Sequence, residues 1–317
     1  MKKVTKQIFA IGGLASFFLA FDGLFYVSLT NRCINDFSPE MSAKSVEISK
    51  FLPFGEDSGI VKKEGEKMAG NLPVIDGAAA LFPVFSSYVH RLYDENTVKY
   101  DGDSFSDGSS LIYTNTRGAY KGIVDGTSDI IFCARPSKDQ LSYAEEKGVE
   151  LELTPIGHEA FVFLVNTKNS VDSLTEDQIR GIFSGRIKMW NEVGGDFRIC
   201  YPLRRNEGSG SQTTMEKFMG EEKIVDRTLL GFLGQSIGFS FRYYVEGLNQ
   251  SSGVKMISVN GVSPSRDNIK NGTYPIISDI YMVTRKGDTN PNVELFKNYV
   301  LSEEGQEILE EVGYVGL

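Results

Sequence analysis

The sequence predicts an α/β protein built as two lobes around a cleft. Short β-rich runs alternate with helical stripes along most of the chain, the pattern of βαβ units and parallel sheet. The 317 residues hold enough chain for two domains of ordinary size and some extra length. The terminal third again carries strands and helices. Packed back on the first lobe, it makes the chain cross between lobes twice, a hinge that can open and close. Residues 71–157 and 250–317 are therefore assigned to lobe 1 and residues 158–249 to lobe 2, behind an N-terminal segment, 1–30, and a tether, 31–70.

Hydrophobic residues make up 41% of the chain and charged residues 24%, so both lobes can bury a core. A net charge of −9 argues against nucleic acid as a partner, which needs a broad basic surface. It does not argue against a small anion held by local groups. The three cysteines and two histidines include no Cys-x-x-Cys spacing, so no metal site is expected and at most one disulfide. No cofactor is expected either.

At the N-terminus, Lys2, Lys3 and Lys6 precede an apolar run from Ile8 to Leu29, interrupted by Asp22. The run is about as long as a membrane span, and the leading charge places the rest of the chain outside the cytoplasm. Ser28 and Thr30 make a weak cleavage site, and Arg32 before Cys33 is a poor lipoprotein signal. An uncleaved signal anchor is favoured over a cleaved signal peptide. Asn31 to Gly70 is mixed in charge and poor in periodicity, as in a tether, with room for a short helix near Lys44 to Leu52.

Leu72 to Asp76 reads as a strand ending at Gly77. Leu81, Val84, Phe85, Tyr88, Val89 and Leu92 then form a helical stripe. Pro83 sets the start of the regular helix near itself and leaves an irregular first turn. The amides of Ala78, Ala79 and Ala80 form a candidate anion cradle there, although a plain strand–turn–helix is the simpler reading. Leu111 to Tyr113 reads as a strand, Thr114 to Thr116 as a polar turn, and Ala119 to Val124 as a short helix. Asp129 to Cys133 is a strand, Asp139 to Lys147 a helix, and Glu150 to Ile156 another strand. Ligands of parallel sheets sit at the carboxyl ends of strands, where Thr114 and Thr116 fall. Helix capping accounts for each of these threonines equally well.

Ala160 to Val165 reads as a further strand. Thr175 and Gln178 form a capping box before Ile179, Ile182 and Phe183, and Trp190 is expected in the core. Arg198 to Leu203 is a strand that delivers the most informative stretch of the chain. Arg204 and Arg205 lead into Gly208, Ser209, Gly210 and Ser211. A helix follows, with Ser209 and Gln212 in capping-box spacing and Met215, Phe218 and Met219 as its apolar stripe. Glycines let backbone approach a ligand, a helix start offers unpaired N–H groups, and a guanidinium matches an oxyanion. The parts describe a seat for a small tetrahedral oxyanion; a solvated loop that starts a helix is the alternative. Leu229 to Leu233 and the aromatic run Phe239, Phe241, Tyr243 and Tyr244 come next. Val254 to Val259 and Tyr281 to Thr284 read as strands, and Val293 to Leu301 and Glu303 to Val312 as the terminal helices.

Several stretches, in order, resemble one family. They are Pro155 to Asn166, Ser173 to Ile179, Phe183 to Gly195, Arg205 to Gln212 and Ser302 to Gln306. Together they resemble the PstS-type phosphate-binding proteins of ABC phosphate importers, over roughly Leu72 to Leu317. The resemblance implies a type II periplasmic-binding-protein fold, two α/β lobes around a central cleft. It implies that Ser209, Gly210 and Ser211 bind phosphate with Arg205, and that Glu207 orients the arginine. It matches Ala78, Ala79 and Ala80 to the first cradle and Thr116 to a second-strand serine. Two departures stand out. Three alanines occupy a cradle that usually carries a hydroxyl. Ala134, followed by Arg135, replaces an aspartate that accepts the proton of hydrogenphosphate, the acceptor with which such sites reject sulfate.

The leading functional expectation is an extracytoplasmic solute-binding protein, a monomer at the outer face of the membrane, anchored through its N-terminal segment or secreted. It would capture phosphate or a related oxyanion and hand it to ABC permease subunits. The alternative is a membrane-tethered sensor or interaction domain with weak or no anion binding. No enzyme is expected: the chain lacks a Gly-x-Ser-x-Gly elbow and a phosphate-binding Gly-x4-Gly-Lys-Ser/Thr loop. His158-Glu159 also lacks the second histidine of a zinc helix, Val162 standing in its place.

Overall fold

The chain enters its sheet through β1 (Ile75–Gly77) and leaves it by a 3-10 turn, Ala79–Leu81, that runs straight into α1 (Phe82–Leu92). Pro83 sits in the first turn of α1, where no N–H is needed. Then follow α2 (Asn115–Asp125), β2 (Ile130–Cys133), α3 (Lys138–Glu146) and the long β3 (Leu151–Asn166). β4 (Ser173–Leu174), α4 (Glu176–Phe183), β5 (Cys200–Pro202), α5 (Gly210–Met219) and β6 (Gln235–Phe241) come next. The chain ends with β7 (Val254–Val259), α6 (Arg266–Lys270), β8 (Ile277–Arg285), α7 (Pro291–Leu301) and α8 (Glu303–Val312). The computed structural model describes residues 47–225, 235–248 and 253–317. The Ile8–Leu29 run, Cys33 and the Leu229–Leu233 stretch lie outside those residues.

The sheet order is β1-β2-β8-β3-β6-β5, with β7 beside β3 and β4 beside β7. Among the described residues, the expected parallel pairing holds for the strand pairs β1–β2, β5–β6 and β4–β7. β8 returns between β2 and β3 and is antiparallel to both, and β6 and β7 are antiparallel to β3. The sheet is therefore mixed. Leu111, expected in a strand, makes only an isolated bridge to Ile75.

The two strands expected at Glu150–Ile156 and Ala160–Val165 are one strand of 16 residues. Pro155 and Gly157 read as a break, but they mark a β-bulge, where a strand tolerates a residue without a ladder N–H. β3 pairs with β8 from Leu151 to Ala160 and with β6 and β7 from Phe161 to Asn166. It is thus common to both halves of the sheet.

Side-chain alternation places a core on each face of the first half. Ile130, Phe132, Ile280 and Met282 face α1, α7 and α8, where they meet Phe85, Tyr88, Phe296 and Ile308. Ile131, Cys133, Tyr281 and Val283 face α2 and α3, meeting Ala119, Tyr120, Ile123 and Ala144. In the second half Phe161, Phe163, Phe183 and Phe239 form a ring cluster. Trp190 is fully buried, with its Nε1–H donated to the carbonyl of Gln235 at 2.9 Å.

Part of the expected tether is packed structure. A 3-10 turn spans Ile48–Phe51, and Phe51, Phe54, Val61 and Met68 lie against the first core. Ser86 Oγ donates to the Phe51 carbonyl at 2.5 Å, and the Met68 N–H donates to the Leu92 carbonyl at 2.7 Å. Its apolar residues follow no helix or strand period because they cover the outer side of α1 as irregular chain.

Candidate functional site

The start of α5 is the centre of the site. Ser209 is its N-cap and accepts from the Gln212 N–H at 3.3 Å. The expected reciprocal box does not close: Gln212 Oε1 accepts instead from the Arg205 N–H at 3.0 Å, tying the arginine's backbone to the helix it precedes. Ser211 and Gln212 are buried.

This helix start faces the other half of the sheet. A Cβ built on Gly210 would lie 3.2 Å from Ala134 Cβ and 3.8 Å from Thr116 Oγ1. Gln140 of α3 donates to the Gly208 carbonyl at 3.2 Å. Gly210 therefore stands opposite Thr116 and Ala134, as the sequence spacing alone could not establish.

Arg205 is half-buried. Burial pushes its guanidinium below its ordinary pKa, with the neighbouring Tyr244 phenol acting the other way. Among the described residues no carboxylate forms an ion pair with it. A half-buried cation without an anion costs free energy, and a bound anion would remove that cost. Glu207 does not orient this arginine: it is exposed on the turn of Asn206 to Gly208. The turn carries its carboxylate out to solvent.

In the first half the expected donors divide. The Ala78 N–H is already spent on the Phe132 carbonyl at 2.8 Å and is no cradle donor. Ala79 and Ala80 open the helical turn, where amides have no intrahelical acceptor. The Ala80 carbonyl accepts from the Tyr314 hydroxyl at 2.7 Å. Thr114 stands at the N-cap position of α2 but makes no cap bond. Its hydroxyl donates to Asp76 Oδ2 at 2.5 Å and its N–H to Asp76 Oδ1 at 2.9 Å. Thr116, in the first turn of α2, is buried and faces Gly210. Arg135 does not enter the site: Nη2 donates to the Tyr281 hydroxyl at 2.7 Å, with the guanidinium 5.4 Å from the centre of that ring.

Sequence reading missed Asp76. It is fully buried, and burial raises its carboxyl pKa while bonds from Thr114 and Gly77 pull it back. Its signal was a charge inside an apolar run read as strand. Tyr244, buried beside Arg205, was read only as part of an aromatic run. Cys133 and Cys200 are free thiols, both buried. Among the described residues no three metal-ligating side chains gather.

One long shared strand joins two sheet halves, and the starts of α2 and α5 approach each other at Thr116 and Gly210. The chain belongs to the PBP superfamily, whose domain model matches residues 69–304. It is 26% identical over 269 residues to the phosphate-binding protein PstS of Bacillus subtilis, covering 80% of this chain and 83% of that one. It is 23% identical over 259 residues to PstS of Borreliella burgdorferi, covering 73% and 88%. A Clostridium perfringens protein crystallised with bound phosphate shares the fold, with a TM-score of 0.58 at 20% identity, covering 80% of this chain and 100% of that one. An ABC-type phosphate transport receptor from Vibrio cholerae gives 0.54 at 19% identity, covering 77% and 99%.

Proposed function

We propose that this chain is an extracytoplasmic solute-binding protein that captures phosphate, or a closely similar tetrahedral oxyanion, for an ABC importer. Its relatives named PstS support phosphate as the first ligand to test. The observation that carries the reading is Arg205: half-buried, without a carboxylate partner among the described residues, and tied through its N–H to the helix start it precedes. The α5 amides, the Ser209 and Ser211 hydroxyls, the Thr116 hydroxyl and the Ala79 and Ala80 amides surround the position an anion would take. Charge-assisted hydrogen bonds contribute about 1.5–3 kcal/mol each, so four or five of them, net of the entropy lost on association, reach micromolar affinity.

Nothing in this arrangement requires covalent chemistry, and the reading is capture rather than catalysis. Two lobes meet at β3, with residues 71–157 and 250–317 in one and 158–249 in the other, and the gap between them closes on the ligand. The chain acts as a monomer, held at the outer membrane face by its N-terminal segment or released from it. Titration calorimetry of the protein with phosphate and with sulfate tests the reading. Micromolar or tighter binding of phosphate is expected; no heat with either anion refutes it.

A further inference from the structure

We infer that Asp76 is a positioning residue for the anion site, holding the two loops of the first sheet half in one fixed arrangement. This rests on the oxyanion reading of the site. One carboxylate receives three donors. Oδ1 accepts from the Gly77 N–H at 2.7 Å and from the Thr114 N–H at 2.9 Å, and Oδ2 accepts from the Thr114 hydroxyl at 2.5 Å. Gly77 opens the turn that carries the Ala79 and Ala80 amides. Thr114 opens α2, whose first turn carries Thr116. The two loops are otherwise 38 positions apart in sequence at the residues bridged.

Asp76 is fully buried, so its carboxylate reaches no ligand directly. A buried carboxyl group is costly, and among the described residues no cation lies beside this one; its partners are amides and one hydroxyl. A core position needs no such group for packing. What the carboxylate supplies is acceptor capacity for three donors at a junction where both ligand-facing loops begin. Loops fixed in advance do not have to be ordered when the ligand arrives, and that saving appears as affinity. Thr114 then serves as the far anchor of this bridge, and its hydroxyl proton is not offered to the anion.

The test is phosphate affinity by calorimetry and melting temperature without ligand, for Asp76→Asn, Thr114→Val, Thr114→Ser and Arg205→Ala. Asn keeps the shape but turns one acceptor into a donor, so phosphate binding is expected to weaken about tenfold or more. Thr114→Val is expected to weaken it several-fold, while Thr114→Ser, which keeps the hydroxyl, binds as the wild type does. In the Asp76→Asn background Thr114→Val should cost nothing further, because the bridge is already broken. A full additional loss there would make Thr114 a direct ligand and overturn the inference. So would a folded Asp76→Asn that binds phosphate normally, or one that only melts earlier. If Asp76→Asn does not fold, a Thr114→Val that binds more weakly than Thr114→Ser and also melts earlier without ligand upholds the inference; equal binding, or weaker binding with an unchanged melting temperature, overturns it. Normal binding by Arg205→Ala would instead bring down the site reading itself, and this inference with it. Loss in Arg205→Ala with none in Asp76→Asn removes only the role of Asp76.

Discussion

Replacing Gly210 by alanine should separate stability from binding. Gly210 is the first residue of α5 and does not adopt a left-handed backbone, so alanine fits its conformation. Alanine favours helix over glycine by up to about 1 kcal/mol, less at a first turn. Against that, the new methyl meets Ala134 Cβ at 3.2 Å, so the two sheet halves must part by a few tenths of an ångström. The net change in stability should lie within about 1 kcal/mol of zero. The same methyl lies 3.8 Å from Thr116 Oγ1, between two of the groups proposed to hold the anion. Losing one or two charge-assisted hydrogen bonds, each about 1.5–3 kcal/mol, weakens binding about 10- to 150-fold or more. Calorimetry with phosphate and a melting curve without it read the two effects separately. A Gly210→Ala protein that binds phosphate like the wild type would show that the anion does not sit at the start of α5.

Arg205→Ala should abolish measurable phosphate binding, at least about 100-fold, while leaving the unliganded protein as stable or more so, since a half-buried cation is removed; a destabilised variant would mean the guanidinium has a partner in the unliganded protein. Glu207→Gln should change phosphate affinity less than about twofold, because the side chain is exposed; a tenfold loss in calorimetry would restore its orienting role. Ala134→Asp should shift the ratio of dissociation constants toward phosphate over sulfate, since a carboxylate opposite α5 favours a ligand that brings a proton; an unchanged ratio in competition titrations counts against it. Burial pushes the Glu159 carboxyl up to about 7 against the opposing pull of Arg242, from an ordinary value of 4.5. A carboxyl raised on folding favours the folded state while protonated, so wild type should lose up to about 3 kcal/mol relative to Glu159→Gln as pH climbs between those values; urea midpoints whose difference stays flat with pH would contradict this.

What was legible in the sequence was local. The stripe from Leu81 to Leu92 became α1, the Ser209 cap became the start of α5, and the terminal helices fell within two residues of their expected limits. Each of these is written in neighbours three or four positions apart. What was not legible depended on partners far along the chain. β3 looked broken at Pro155 because a bulge and a strand end share the same residues, and only β8 pairing on both sides joins them. The tether looked unstructured because its apolar residues answer to α1 and not to any period of their own.

The site divides along the same line, and the division has a physical cause. A cradle of backbone amides can be built from alanines, so Ala78, Ala79 and Ala80 could be proposed from their place between strand and helix. Which of those amides is free depends on the acceptors around it, and the Phe132 carbonyl takes the one from Ala78. Thr114 and Thr116 were alike in sequence, two hydroxyls at a strand end. Asp76 claims the first, and the second is left facing Gly210. In Arg205 the relation is reversed: the expected carboxylate beside it is exposed, and among the described residues no other carboxylate pairs with the guanidinium. A site of this kind is defined as much by the acceptors its own fold withholds as by the donors its sequence supplies.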